Sequence, residues 1–264
     1  MENGSSVLAT RGWVGESWKC YWPLLWRLLP IFLIVYIPIA ILSVCYSTFV
    51  LGDAESFAAI AKSWRFDRAL ENVIGILALT PIVLATRDWR SGRMGNWGGY
   101  FKQGFKLWGR LFGVNLLTGL LLWGLAFLLL VPALIGYFYV SFACEAAVLL
   151  NLSGGAAIRE SYRVIKGHWW ATVGYGLITG LITIGLMVVP VVMTELAGGI
   201  VEVLTEDVEE LSEIGSMISF GLEVVGEWLC DLVVVFGSVS GVIWFLRLRS
   251  AKDVTPEERG LVFL

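Results

Sequence analysis

The chain has 264 residues, 57% of them apolar and only 16% charged, with a formal net charge of −3. A soluble domain carries about 25% charged residues, so a water-solvated globule is excluded, and the acidic balance argues against nucleic acid as a partner. Four cysteines (Cys20, Cys45, Cys144, Cys230) are scattered without a CxxC pair, and His168 is the only histidine. Neither a disulfide framework nor a His-rich metal site is expected, and no cofactor is implied.

The apolar excess falls in runs that match a bilayer. About 20 apolar residues at 1.5 Å each cross a hydrocarbon core of about 30 Å. Every backbone polar group must then be satisfied within its own segment, so the runs must be helical. The expected spans are 28–50, 69–86, 111–131, 134–152, 171–193 and 224–246. The first is too long for the apolar region of a signal peptide. The second is short and carries Glu71 and Pro81. The third and fourth form one stretch interrupted at Val131-Pro132-Ala133. As a single helix it would reach about 63 Å, so a hairpin near Pro132 is expected. The predicted fold is all-α: a polytopic bundle of about six spans arranged as three hairpins, one integral membrane domain.

Basic residues collect in cytoplasmic segments of membrane proteins. With the N-terminus inside, sixteen of the nineteen Lys and Arg residues fall on the inner side, and only Lys62, Arg65 and Arg68 fall outside. Both termini are therefore expected in the cytoplasm. The aromatic–basic pairs Trp18-Lys19, Phe101-Lys102 and Tyr162-Arg163 each precede an expected span and hint at a threefold internal repeat.

Within 97–110, the rings of Trp97, Phe101, Phe105 and Trp108 recur at helical spacing, with Lys102, Lys106 and Arg110 on another side. That pattern predicts a helix lying at the inner lipid surface. The tryptophans flanking the spans, Trp13 among them, are read as interfacial belts. The segment 195–214 is acidic without a basic residue, and predicts an outer helix with Glu202, Glu206, Glu209 and Glu213 on one stripe. An anionic lipid surface repels such a stripe, so it is expected to pack on the protein itself or on a partner. Glu223, Glu227 and Asp231 share a face of the last helix at i, i+4, i+8. Aligned carboxylates suit a cation or a proton relay, but acids at a helix N-terminus also stabilise it through the macrodipole. Glu145 lies deep in the fourth span, and Asn115 is a candidate partner for it. Gly176-x-x-x-Gly180 and Gly237-x-x-x-Gly241 are read as close-packing signals between helices. There is no P-loop or HExxH, and Gly237-Ser-Val-Ser-Gly241 is not a nucleophile elbow because Val239 occupies its centre. No enzyme activity is expected.

Three stretches carry a family resemblance: Asn96-Trp-Gly-Gly-Tyr-Phe-Lys-Gln-Gly-Phe-Lys106, Leu130-Val-Pro-Ala-Leu134, and Ala156-Ala-Ile-Arg-Glu-Ser-Tyr-Arg-Val-Ile-Lys-Gly-His-Trp-Trp170. Over roughly 95–190 the chain resembles the glycerophosphoryl diester phosphodiesterase membrane-domain-like family of bacterial and archaeal polytopic proteins. The resemblance implies a membrane helix bundle in a prokaryotic cytoplasmic (inner) membrane. It does not carry over the soluble catalytic barrel of some relatives, since no metal-binding set of acids and histidine is left for it.

Two functions stay open. One is a non-catalytic component that organises a membrane complex or the lipid surface, with the bilayer and a membrane protein or a further copy of the chain as partners. The other is a small-solute, ion or lipid transporter using the intramembrane carboxylates. A transporter needs a polar cavity beside broken helices.

Overall fold

Long apolar runs with few breakers fold as long helices. The computed structural model describes residues 12–51, 62, 66, 69–205 and 209–253. Among these the chain is 92% helical with no strand, an all-α polytopic bundle. Five helical stretches are long and apolar enough to cross a membrane: Trp13–Val50, Trp97–Leu128, Leu130–Leu150, Trp169–Thr205 and Ile214–Lys252.

Helix α1 (Trp13–Tyr46) continues through Pro23, Pro30 and Pro38 and ends in a π-helical turn, Ser47–Leu51. The expected second span is a π-helical turn, Glu71–Gly75, leading into α2 (Ile76–Arg90). Helix α2 has only 15 residues, yet every residue from Thr80 to Thr86 is buried. It packs among α1, α3 and α8, so protein rather than lipid surrounds it and its threonines are tolerated.

Helix α3 (Trp97–Leu128) is capped by the Asn96 side chain, which accepts from the Gly98 N–H at 3.5 Å. The expected surface helix 97–110 is therefore not a separate element. No proline interrupts the ladder between Trp97 and Leu128, and this part of α3 packs along α2. The Trp108 indole donates to the Val73 carbonyl at 2.7 Å. Trp97, Phe105 and Trp108 nonetheless keep rings on the outside of the bundle, and Lys102 and Lys106 are exposed, while Phe101 and Arg110 are half-buried.

The hairpin falls at Leu129 rather than at Pro132. Leu129 is extended, and α4 (Leu130–Val140) starts beyond it. The first backbone bond of α4 runs from the Ala133 N–H to the Leu129 carbonyl. Pro132 thus occupies the first turn, where no donor is required. The chain then breaks at Ser141 and Phe142 before α5 (Ala143–Leu150), so the fourth span is kinked. Helices α6 (Gly155–Ile165), α7 (Trp169–Thr205) and α8 (Glu209–Asp253) follow.

The expected outer acidic helix is also not separate. Residues up to Thr205 prolong α7, and Glu209 onward begins α8. Glu206 lies outside the described residues, as do the side chains of Glu202, Glu209 and Glu213. What prolongs the pair is a ladder: Thr183, Thr194 and Thr205 face Gly237, Gly226 and Gly215 across the two helices. Both series step by eleven residues, and a threonine methyl or hydroxyl fills each glycine notch. An eleven-residue period is 3.67 residues per turn, close to the α-helical value, so the contact stays on one face along the whole pair.

The basic segments meet at one end of the bundle. Glu16 pairs with Arg90 at 3.1 Å and with Arg247 at 2.6 Å. Arg27 donates to the Gly95 carbonyl, Arg110 to the Asn151 side chain, and Lys252 to the Lys166 carbonyl. Trp13, expected at an interface, is wholly buried there between Tyr175 and Trp244. The Tyr175 and Trp244 rings stack at 5.1 Å.

Candidate functional site

A break inside a membrane helix leaves backbone groups that something must satisfy. At the α4–α5 break the Ser161 hydroxyl of α6 does so, accepting from the Phe142 N–H at 3.2 Å and donating to the Tyr139 carbonyl at 2.8 Å. Glu145 is the third residue of α5, and its own backbone N–H turns to its carboxylate. A helix N-terminus favours negative charge there. The residue is only 8% exposed, and its Oε2 has no hydrogen-bond partner. Asn115 does not serve it: that amide donates to Asn72 at 3.1 Å instead.

Glu145 lines a cleft of about 440 Å³ between α4–α5, α7 and α8. Both glycine pairs, Gly176/Gly180 and Gly237/Gly241, line its walls. At Gly241 the bare backbone brings two oxygens together: a Cβ there would stand 3.4 Å from Glu145 Oε1 and 3.6 Å from the Tyr175 hydroxyl. In front of Gly180 a Cβ would meet nothing within 4 Å. Phe138 and Phe142 add rings, and Ser141, Thr172 and Thr179 add hydroxyls. Tyr137 and Ile184, 56% and 63% exposed, mark a mouth on the bundle's outer side between α4 and α7. Glu145 lies five residues before the end of α5, about 8 Å along the helix, and thus near the basic end of the bundle.

The other predicted carboxylates do not join Glu145; they divide between neighbouring clefts. Glu223 and Glu227 line one of about 370 Å³ together with Glu195, Ser43 and Ser47. Asp231 lines another, of about 210 Å³, with Tyr36, Glu71, Asn72 and Asn115 beside the π-helical turn. A fourth, of about 570 Å³, lies toward Gly215 and shares Thr194, Glu195 and Glu223 with the first of these. The Asp231 and Glu145 clefts share Val234 and Ser238. The clefts therefore follow one another along α8 from Gly215 to Gly241, each carrying at least one carboxylate. Among the described residues, no group of three or more His, Cys, Asp or Glu is placed to hold a metal ion.

No family model, curated protein or solved structure matches the chain. The site thus stands on its own residues. Sequence reasoning found Glu145 and both glycine pairs but took the glycines for packing alone. It passed over Tyr175, Thr172 and Thr179, whose signal would have been their spacing along one face of α7 with Gly176 and Gly180.

Proposed function

We propose that this integral membrane protein is a transporter of a small cation or cation-coupled solute, with no catalytic activity. It is read as sitting in a prokaryotic cytoplasmic membrane with its basic end and both termini inside. The observation that carries the reading is the succession of carboxylate-bearing clefts along α8, ending at the buried Glu145 beside a helix break. Broken helices beside intramembrane acids are how transporters expose backbone and charge to a solute. The gathering of basic segments at one end supports the orientation, and the resemblance to the membrane-domain family agrees with the bundle without supplying a substrate.

Proteoliposomes with a trapped pH dye and an imposed cation gradient test it. Wild type should give flux above empty vesicles, and Glu145→Gln and Asp231→Asn should each reduce it. Flux that matches empty vesicles for every cation tried, protons included, would refute transport.

A second reading, the organising component, rests on helix length. Helix α8 has 45 residues, about 67 Å, against a hydrocarbon core of about 30 Å. With α7 it reaches past a bilayer and offers a stalk to a membrane protein or to another copy of the chain. Mass spectrometry of the protein purified in mild detergent at low salt tests this: a stoichiometric companion supports it, and a clean preparation rejects it.

A further inference from the structure

The Glu145 cleft is unlike the other three in its walls. Each of the clefts that carry Glu223, Glu227 and Asp231 holds two or three carboxylates, whereas here a single carboxylate stands among hydroxyls and aromatic rings. An ionised carboxylate buried without a partner is costly. Glu145 Oε2 is buried without a partner, and no ion pair to it is formed among the described residues. The missing counter-charge must come from a proton or from a ligand.

The chemistry of the walls chooses the ligand. A divalent metal ion is held by carboxylates among its about six to eight oxygens. This cleft offers one carboxylate and otherwise neutral hydroxyls, and among the described residues no group of three or more His, Cys, Asp or Glu is placed for a metal. Aromatic side chains next to a carboxylate suit an organic ammonium, whose charge is held by the acid and whose methylene or methyl groups pack against the rings. Phe138, Phe142 and Tyr175 line the cleft with the acid, and hydroxyls of Ser141, Thr172 and Thr179 can accept the remaining N–H groups. The volume, about 440 Å³, falls in the usual range for a small-molecule site. The mouth between Tyr137 and Ile184 faces the surface that lipid covers, so an ammonium with an apolar tail has a route of entry that does not cross the core.

We infer that the cleft between α4–α5, α7 and α8 binds an organic ammonium group, with Glu145 as its counter-ion. This names the substrate class of the transport reading and rests on it. The ammonium has two sources, a water-soluble amine or the amine headgroup of a lipid entering sideways.

The test uses the full chain in nanodiscs of phosphatidylglycerol alone. Tetramethylammonium and butylamine are titrated by calorimetry into wild type, Glu145→Gln and Gly180→Phe. The second variant fills the cleft from a position where a Cβ meets nothing within 4 Å, so it blocks binding without touching the acid. Saturable binding to wild type that weakens at least about tenfold in both variants supports the site and a soluble source. With no binding of either amine, native mass spectrometry with mixed phosphatidylethanolamine and phosphatidylglycerol decides: ethanolamine lipid retained by wild type and lost in both variants supports a lipid source. No retention in either assay overturns the inference, as does binding equal in all three proteins. Flux in proteoliposomes that persists without ammonium binding rejects this inference alone; ammonium binding without flux rejects transport and leaves the site.

Discussion

Ser161 links three pieces of chain through one hydroxyl. It accepts from Phe142 and donates to Tyr139, so α6 holds the break that puts Glu145 in the first turn of α5. Ser161→Ala leaves a buried N–H and a carbonyl unpaired, at about 1–3 kcal/mol. A lowered thermal midpoint in detergent is expected, and an unchanged midpoint would show that the break holds itself. On the same helix the Arg163 guanidinium, bonded at 2.7 and 2.8 Å, holds the Glu160 carboxyl below the usual carboxylate range. A depressed carboxylate contributes stability above its unfolded pKa and loses it as pH falls through its folded value. Because the Arg163 side chain is about half exposed, solvent screens the pair and the effect is small. Moving from pH 7 to about pH 3 should therefore cost wild type slightly more than Arg163→Ala in unfolding midpoint. Equal losses would remove the pair from the account.

The paired helices α7 and α8 owe their length to the threonine–glycine ladder. A Cβ at Gly226 would stand 2.7 Å from Thr194 Cγ2 and one at Gly215 2.5 Å from Thr205 Oγ1, so neither notch has room. The Thr194 and Thr205 hydroxyls are already tied to the carbonyls of Pro190 and Val201, both at 2.9 Å, which keeps the side chains from turning away. Gly226→Ala is expected to destabilise by about 1–3 kcal/mol through overpacking. Thr194→Ala in that background should recover part of the loss, as a double-mutant cycle reads directly; simple additivity would mean the ladder is incidental. Toward the basic end the ladder loosens. A Cβ at Gly237 would stand 3.7 Å from Thr183 Oγ1, an ordinary contact, and both residues line the Glu145 cleft.

For the whole molecule, the ion pairs of Glu16 with Arg90 and Arg247 and the bond from Arg110 to the Asn151 side chain gather the segments after α2, after α5 and within α8 at one end. In a background without Cys20, Cys45, Cys144 and Cys230, cysteines at Ser91 and Ser153 should therefore react with an impermeant reagent from the same side of the membrane. A cysteine at Leu129 should react from the other. Labelling of Ser91 and Ser153 from opposite sides would rule out the three hairpins expected from the sequence. The succession of clefts along α8 depends on this arrangement, since α1, α2, α5 and α7 each supply a wall.

Helix class, the positions of the long apolar runs and the segregation of basic residues were legible in the chain itself. They follow from local composition and from the demand of lipid for internally bonded backbone. The displacement of the hairpin from Pro132 to Leu129 was not, because a proline fits the first turn of a helix as well as the end of one. Nor could composition show that 97–110 and 195–205 prolong longer helices. Their amphipathic stripes record polarity, whereas continuity is decided by contacts with α2 and α8. Glu145 stood out as an acid in an apolar run, yet its lack of a partner is a statement about every helix around it. Tertiary structure alone showed that the two glycine pairs, besides the contacts of Gly176 with Phe138 and of Gly237 with Thr183, line a cleft onto which Gly180 opens, because a missing side chain means packing or space according to what lies opposite.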